Sequence, residues 1–237
     1  MSQAMRDAVG AEWTKLRTAP GTGWLILGAA VITVALSALA AAAASGCPPG
    51  SECGDDPIGT SLTGVQLGQV VIAILAVQVV GGEHGTGMLR TTLVAVPQRL
   101  WVLAAKALVV GGAVLVSAVV GVAGSLIAGH LLLPAWLPLS LTDADTLRAS
   151  VAAVAYLVLI GCLSLGIAVA LRDSAVAVGA VLALLFLFPL VRLSVSDPTW
   201  QHRIDQINPS TAGFAVLIAW ATAALLTGAV LLHHRDA

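Results

Sequence analysis

The sequence predicts an all-α integral membrane protein: six transmembrane helices preceded by an N-terminal interfacial helix. Three observations carry that prediction. Hydrophobic residues make up 58% of the chain and charged residues 10%, where a soluble domain has about a quarter charged, and the mean hydropathy is +0.97. The apolar residues fall into runs of about 20, the length a helix needs to cross the hydrocarbon of a bilayer. Polar residues gather between those runs, with cations concentrated in alternate segments. The 237 residues have room for six such spans with short connections and none for a soluble catalytic domain. Three cysteines, Cys47, Cys53 and Cys162, are too few for a disulfide-dense fold.

Residues 1–20 read as an amphipathic helix. A charged segment precedes a full-length span there, where a signal peptide would have a short apolar core followed by a small-residue cleavage site. Met5, Val9, Trp13 and Leu16 recur at helical spacing, with Arg6, Glu12, Lys15 and Arg17 around the rest of the circumference. Such a helix lies along the cytoplasmic leaflet with Trp13 at headgroup depth and Lys15 and Arg17 on its polar side. A frayed, charged terminus is the alternative.

Residues 21–237 form the transmembrane domain, and its first span is expected over about 24–44, after the Pro20-Gly21 break. The loop that follows, SGCPPGSECGDDPIGT, is acidic and rich in turn residues. Its Cys47 and Cys53 admit two readings. Facing an oxidising exterior they bridge and close a small loop, a contribution of about 2 kcal/mol in the chain-entropy picture; otherwise they are free thiols. With no further Cys or His beside them they are a weak metal signal, and no metal site is expected.

The second span, about 61–80, carries Gln66, Gln69 and Gln78, amides that face a neighbouring helix or line a pathway. The third, about 100–131, holds Ala113, Ser117, Gly121, Ser125 and Gly129 at successive spacings of four. That ridge lets another helix approach closely and puts this span centrally in the bundle or at a subunit interface. An outer loop over 132–147 offers Trp136 as an interface anchor. The fourth span is expected over about 149–171, a minimal inner turn at Arg172-Asp173-Ser174, and the fifth span over about 175–190. The polar stretch 195–211 reads as a short helix near the outer leaflet, and the sixth span covers about 212–232.

Between the second and third spans runs GGEHGTGMLRTTLVAVPQRLWVLAAK, Gly81 to Lys106, a glycine-punctuated basic segment wedged between two apolar runs. With both termini inside, the inner segments hold Arg6, Lys15, Arg17, Arg90, Arg99, Lys106, Arg172 and Arg235, and the outer ones Arg148, Arg192 and Arg203. Eight cations against three satisfy the positive-inside rule and place this segment at the cytoplasmic face.

The chemistry is bounded by what is missing from the letters. There is no GxxxxGK[ST] phosphate cradle, and Lys15 and Lys106 are the only lysines. Gly85-Thr86-Gly87 follows an apolar span and lacks the third glycine of a dinucleotide fingerprint. No HExxH is present, no run of ionisable residues crosses the spans at mid-depth as in an ion-coupled carrier, and the two halves hold no matching pair of broken helices. Two functional classes remain. One is a transport permease driven from outside the chain; the other is a non-transporting membrane protein, either an assembly factor or an intramembrane enzyme.

GEHGTGMLRTTLVAVPQR resembles the segment after the second span of ABC-2 type exporter permeases, in particular a small actinobacterial branch with the pattern GEY-x-TGM-(I/L)-RTTL-x-A-x-P-x-R. The likeness continues in EWTKLRT near the N-terminus, PQRLWVLAAKALV, DADTLRA, NPSTAG and the HHRDA tail, so that it covers nearly the whole chain. Departures are His84 where Tyr is usual, Gln98 where a cation is usual, and His233 and His234 in a tail that is usually basic. The resemblance implies the ABC-2 type exporter architecture in the bacterial cell membrane: a permease subunit that is not catalytic by itself. It also implies a separately encoded ABC ATPase that binds ATP and Mg, and a second permease within a 2+2 complex, either a second copy in a homodimer or a relative of this chain. Carried over by position, Glu83, Gly85, Thr86, Gly87, Arg90, Thr91, Pro97 and Arg99 form or position the coupling segment. The residues agree physically: Glu83 suits a helix N-terminus and the arginines suit carboxylates of a partner, although Arg90 and Arg99 also suit a role as headgroup anchors. No cofactor on this chain and no nucleic-acid partner are expected, and the transported solute is expected to be apolar or amphiphilic.

Overall fold

The computed structural model describes residues 3–46, 56–86, 99–171, 173–194 and 214–234. Every regular element among them is a helix: α1 (Gln3–Thr18), α2 (Pro20–Ala44), α3 (Pro57–Leu62), α4 (Val65–Thr86), α5 (Arg99–Leu132), α6 (Ala144–Leu171), α7 (Ser174–Ser194) and α8 (Phe214–His234). Helix is the expected answer for apolar runs of this length, because it satisfies every backbone donor and acceptor within the segment. Among the described residues, five helical stretches are long and apolar enough to cross a membrane: Gly21–Ala44, Pro57–Gly81, Leu103–Leu132, Ala144–Leu171 and Phe214–Leu231. The apolar part of α7, Ser174–Leu187, is shorter.

Helix starts differ from the sequence reading at α2, α3 and α6. Pro20 does not interrupt the chain but opens α2, since a proline in the first turn lacks only an N–H that has no helical acceptor there. A single residue, Ala19, separates α1 from α2, and its N–H still donates to Lys15 O at 3.0 Å. Asp56 caps α3, its Oδ1 accepting from Ile58 N at 3.0 Å and Gly59 N at 2.9 Å, with Pro57 behind it. The second apolar stretch therefore begins at Pro57 and passes from α3 to α4 around Gly64. Helix α6 begins at Ala144, five residues before the expected start, with Asp145 and Arg148 paired at 3.3 Å on its exposed first turns. The short helix expected over 195–211 lies outside the described residues.

The chain divides into two compact units: residues 1–22, 73–111 and 159–237 in one, 23–72 and 112–158 in the other. In the latter, α2 packs on the small-residue face of α5. Ser117 Oγ donates to Ile26 O at 2.8 Å and Ser125 Oγ to Thr33 O at 3.3 Å. A Cβ placed on Gly121 would lie 3.3 Å from Thr33 Cβ and 3.5 Å from Ala30 Cα, so the two helices touch nearly backbone to backbone. Gly64 and Gly68 of the α3–α4 stretch meet the same Thr33 from another side, and Gly64 N donates to Ser37 Oγ at 3.1 Å. Gly129 faces Ser61 and Leu139, whose carbonyl also meets His130 Nδ1 at 2.8 Å and folds the loop back onto α5. Leu137 and Leu139 are buried by that fold.

The other unit holds α1, α7 and α8. Helix α8 crosses α6 at glycines: a Cβ on Gly166 would lie 2.5 Å from the carbonyl carbon of Ala224, and Gly228 lies against Gly166 O and Val169. Helix α7 is capped by Asp173, whose Oδ1 accepts from Val176 N at 2.9 Å.

Candidate functional site

The segment between α4 and α5 is the candidate site, and the structure describes both of its flanks. Glu83, Gly85 and Thr86 belong to the last turn of α4, so Glu83 stands at a helix C-terminus and not at the N-terminus expected for it, and Arg99 is the first residue of α5. Gly87, Arg90, Thr91 and Pro97 lie outside the described residues.

On the α4 side the anchor is Gly81. A Cβ there would stand 2.6 Å from Ser174 Cβ, so the end of α4 lies directly against the capped start of α7. Only glycine permits that approach, because the obstructing atom is the first atom of the Ser174 side chain and cannot swing aside.

On the α5 side the anchor is ionic. Lys106 lies about two turns into α5 and donates from Nζ to Glu12 Oε2 of α1 at 2.6 Å, with side chains only 3% and 5% exposed. The second carboxylate oxygen, Oε1, accepts from Lys15 Nζ at 2.8 Å. Around this pair, Ala8 and Ala105 are buried and Val9 and Ala104 pack against them. Two lysines and one carboxylate thus form a compact cluster where α1 crosses α5. Burying such a pair is expensive, and removing one partner costs about 3–5 kcal/mol because the other charge is left inside.

This cluster corrects the expected place of Glu12 on α1. Ala8, Glu12 and Lys15 form the edge turned toward α5, whereas Trp13 is 55% exposed and Leu16 half-buried. Arg17 is exposed. Glu12 is therefore an inward-facing partner and not part of the solvated circumference, and Lys106 is a buried partner rather than an exposed loop cation. A signal for it existed: a lysine inside an apolar run demands a counter-charge, and the acids available nearby in such a chain are few.

Of the three glutamines of the second span, only Gln69 is buried. It accepts from Tyr156 OH at its Oε1 and donates from Nε2 to Gln66 Oε1 at 3.3 Å. Gln66 and Gln78 are exposed on the surface of the chain. Cys162 is a free thiol in α6, while Cys47 and Cys53 lie outside the described residues. Among the described residues no group of three or more His, Cys, Asp or Glu is placed to hold a metal ion.

Residues 8–190 match the family described as "ABC-2 family transporter protein". That range takes in Glu12, the anchors at Gly81 and Lys106, and the whole segment between α4 and α5. No curated protein matches the chain. With most of its 237 residues inside the match, the chain belongs to the ABC-2 family of transporter proteins.

Proposed function

We propose that this chain is the transmembrane permease subunit of an ATP-driven ABC exporter, moving an apolar or amphiphilic solute outward. The observation that supports the reading best is the family match running through a segment whose two flanks are both pinned. A segment held at Gly81 by α7 and at Lys106 by α1 passes on a push where a loose loop would absorb it. Energy comes from a separate ABC ATPase that binds ATP and Mg, since the chain has no phosphate cradle of its own. Within the segment, Glu83, Gly85, Thr86, Gly87, Arg90, Thr91, Pro97 and Arg99 form the surface that meets that ATPase.

In this reading α7 completes a set of six spans and α1 lies along the inner leaflet of the bacterial cell membrane, both termini cytoplasmic. Two permease copies pair with two ATPases. The pathway draws on polar groups such as Gln66, Gln69 and Gln78. Pull-down of the tagged chain from its native membrane, with identification of what comes with it, tests the proposal. A co-purifying chain with Walker motifs is expected. Recovery of the intact protein with no nucleotide-binding partner, over several detergents, would favour a non-transporting membrane protein instead.

A further inference from the structure

We propose that Glu12 and Lys106 form the joint through which α1 and α5 move as one body, which makes them positioning residues for transport. The inference rests on the reading of the chain as a transporter's membrane subunit, and it concerns a pair outside the segment assigned to the ATPase contact.

Among the described residues, the contact between α1 and α5 has two parts. The apolar part is made of small side chains, Ala8 and Ala105 with Val9 and Ala104 beside them. Methyl groups of this size grip weakly and slide easily, because they offer neither large area nor interlocking shape. The ionic part is directional: Glu12 Oε2 meets Lys106 Nζ at 2.6 Å with both groups shielded, and Lys15 occupies the other oxygen at 2.8 Å. Sliding α1 along α5 breaks this shielded, directional contact, so displacement of one helix drags the other.

The position of the pair gives that rigidity a use. Lys106 is near the start of α5, just beyond the segment assigned to ATPase contact, and α5 continues as one helix to Leu132. Farther along that same helix, Ser117 and Ser125 are bonded to backbone carbonyls of α2. A helix with intact backbone bonds is a stiff rod, so a force delivered at Lys106 reaches the level of Ser125. Helix α1 is joined to α2 through the single residue Ala19, so α1 is held at its C-terminal end by α2 and along its length by the ion pair.

The test uses the assembled permease–ATPase complex in liposomes, with cysteine in place of Leu131 at the far end of α5, a position 73% exposed. Alkylation by a membrane-impermeant maleimide is followed with and without ATP plus vanadate, and the parent without the new cysteine supplies the background of native thiols. In the otherwise unaltered complex, nucleotide is expected to change the rate at least about fivefold, the lower end of ordinary coupling between sites. The double variant Glu12→Met, Lys106→Met removes both charges and keeps the volume filled, a change that commonly preserves folding. It is expected to assemble and hydrolyse ATP while the nucleotide effect at position 131 falls below about twofold. The exchanged variant Glu12→Lys, Lys106→Glu is expected to restore the effect. A methionine pair with the full nucleotide effect overturns the proposal, as does an exchanged variant that assembles without restoring it. A methionine pair that fails to assemble also overturns it, because the pair is then a requirement of folding and not of transmission. An unaltered complex that hydrolyses ATP without any change at 131 rejects the joint alone, whereas absence of any ATPase from the complex rejects the transporter reading itself.

Discussion

An ammonium two turns into an apolar helix survives only beside a carboxylate, and Lys106 has Glu12 at 2.6 Å. The asymmetry of the cluster makes a residue-level prediction. Glu12→Ala leaves Lys106 shielded and without that carboxylate, and is expected to lower the stability of the detergent-solubilised protein by about 3–5 kcal/mol. Lys15→Ala removes the partly exposed member, 27% accessible, and is expected to cost about 1 kcal/mol or less. Thermal unfolding of the two variants side by side checks the order; equal losses would mean that the buried contact is not the one that matters. Tyr156→Phe is a milder case. It deletes the hydroxyl that donates to Gln69 but leaves Gln69 bonded to Gln66, so its expected cost is about 0.6–1 kcal/mol, read by the same unfolding measurement.

Between elements, glycines decide how closely helices approach. Gly166 lies against the backbone of α8 at Ala224 and Leu225, whereas Gly179 of α7 has nothing within 4 Å of a built Cβ. Alanine gains about 1 kcal/mol over glycine from helix propensity alone, so Gly179→Ala is expected to leave stability unchanged or raise it. Gly166→Ala is expected to lower it, because overpacking costs about 1–3 kcal/mol and the obstructing atoms are backbone. The two melting temperatures should move apart; a shared direction would show that α6 and α8 do not cross there. The same contrast explains what was legible in the sequence. The row Ser117, Gly121, Ser125 and Gly129 announces a packing face by its own spacing, and its contacts with α2 and the α3–α4 stretch follow that row. Gly166 and Gly228 are isolated letters in separate helices, and no spacing within either helix tells that they meet. Glu12 and Lys106 stand 94 positions apart, so the need of Lys106 for a counter-charge was readable while the identity of its partner was not. Helix starts at Pro20, Asp56-Pro57 and Ala144 eluded a hydropathy reading for another reason: a first turn accommodates proline and polar residues, which extend a helix beyond its apolar run.

At the scale of the molecule, the chain is a multi-pass member of the ABC-2 family whose sequence holds no phosphate-binding loop. Purified alone, it is therefore expected to show no ATP hydrolysis above background. Its proposed work is mechanical: to receive a displacement between α4 and α5 and change the packing of the helices beyond. Gly81 against Ser174 and Glu12 against Lys106 suit that work, because they brace the segment's two flanks against other helices. The most direct test is ATP turnover of the permease–ATPase complex in liposomes with Glu83→Ala. A variant that elutes and binds the ATPase like the unaltered chain is predicted to lose turnover by about tenfold, within the range of ordinary coupling energies; undiminished turnover in that folded complex would contradict the assignment of the Glu83–Arg99 stretch as the coupling element.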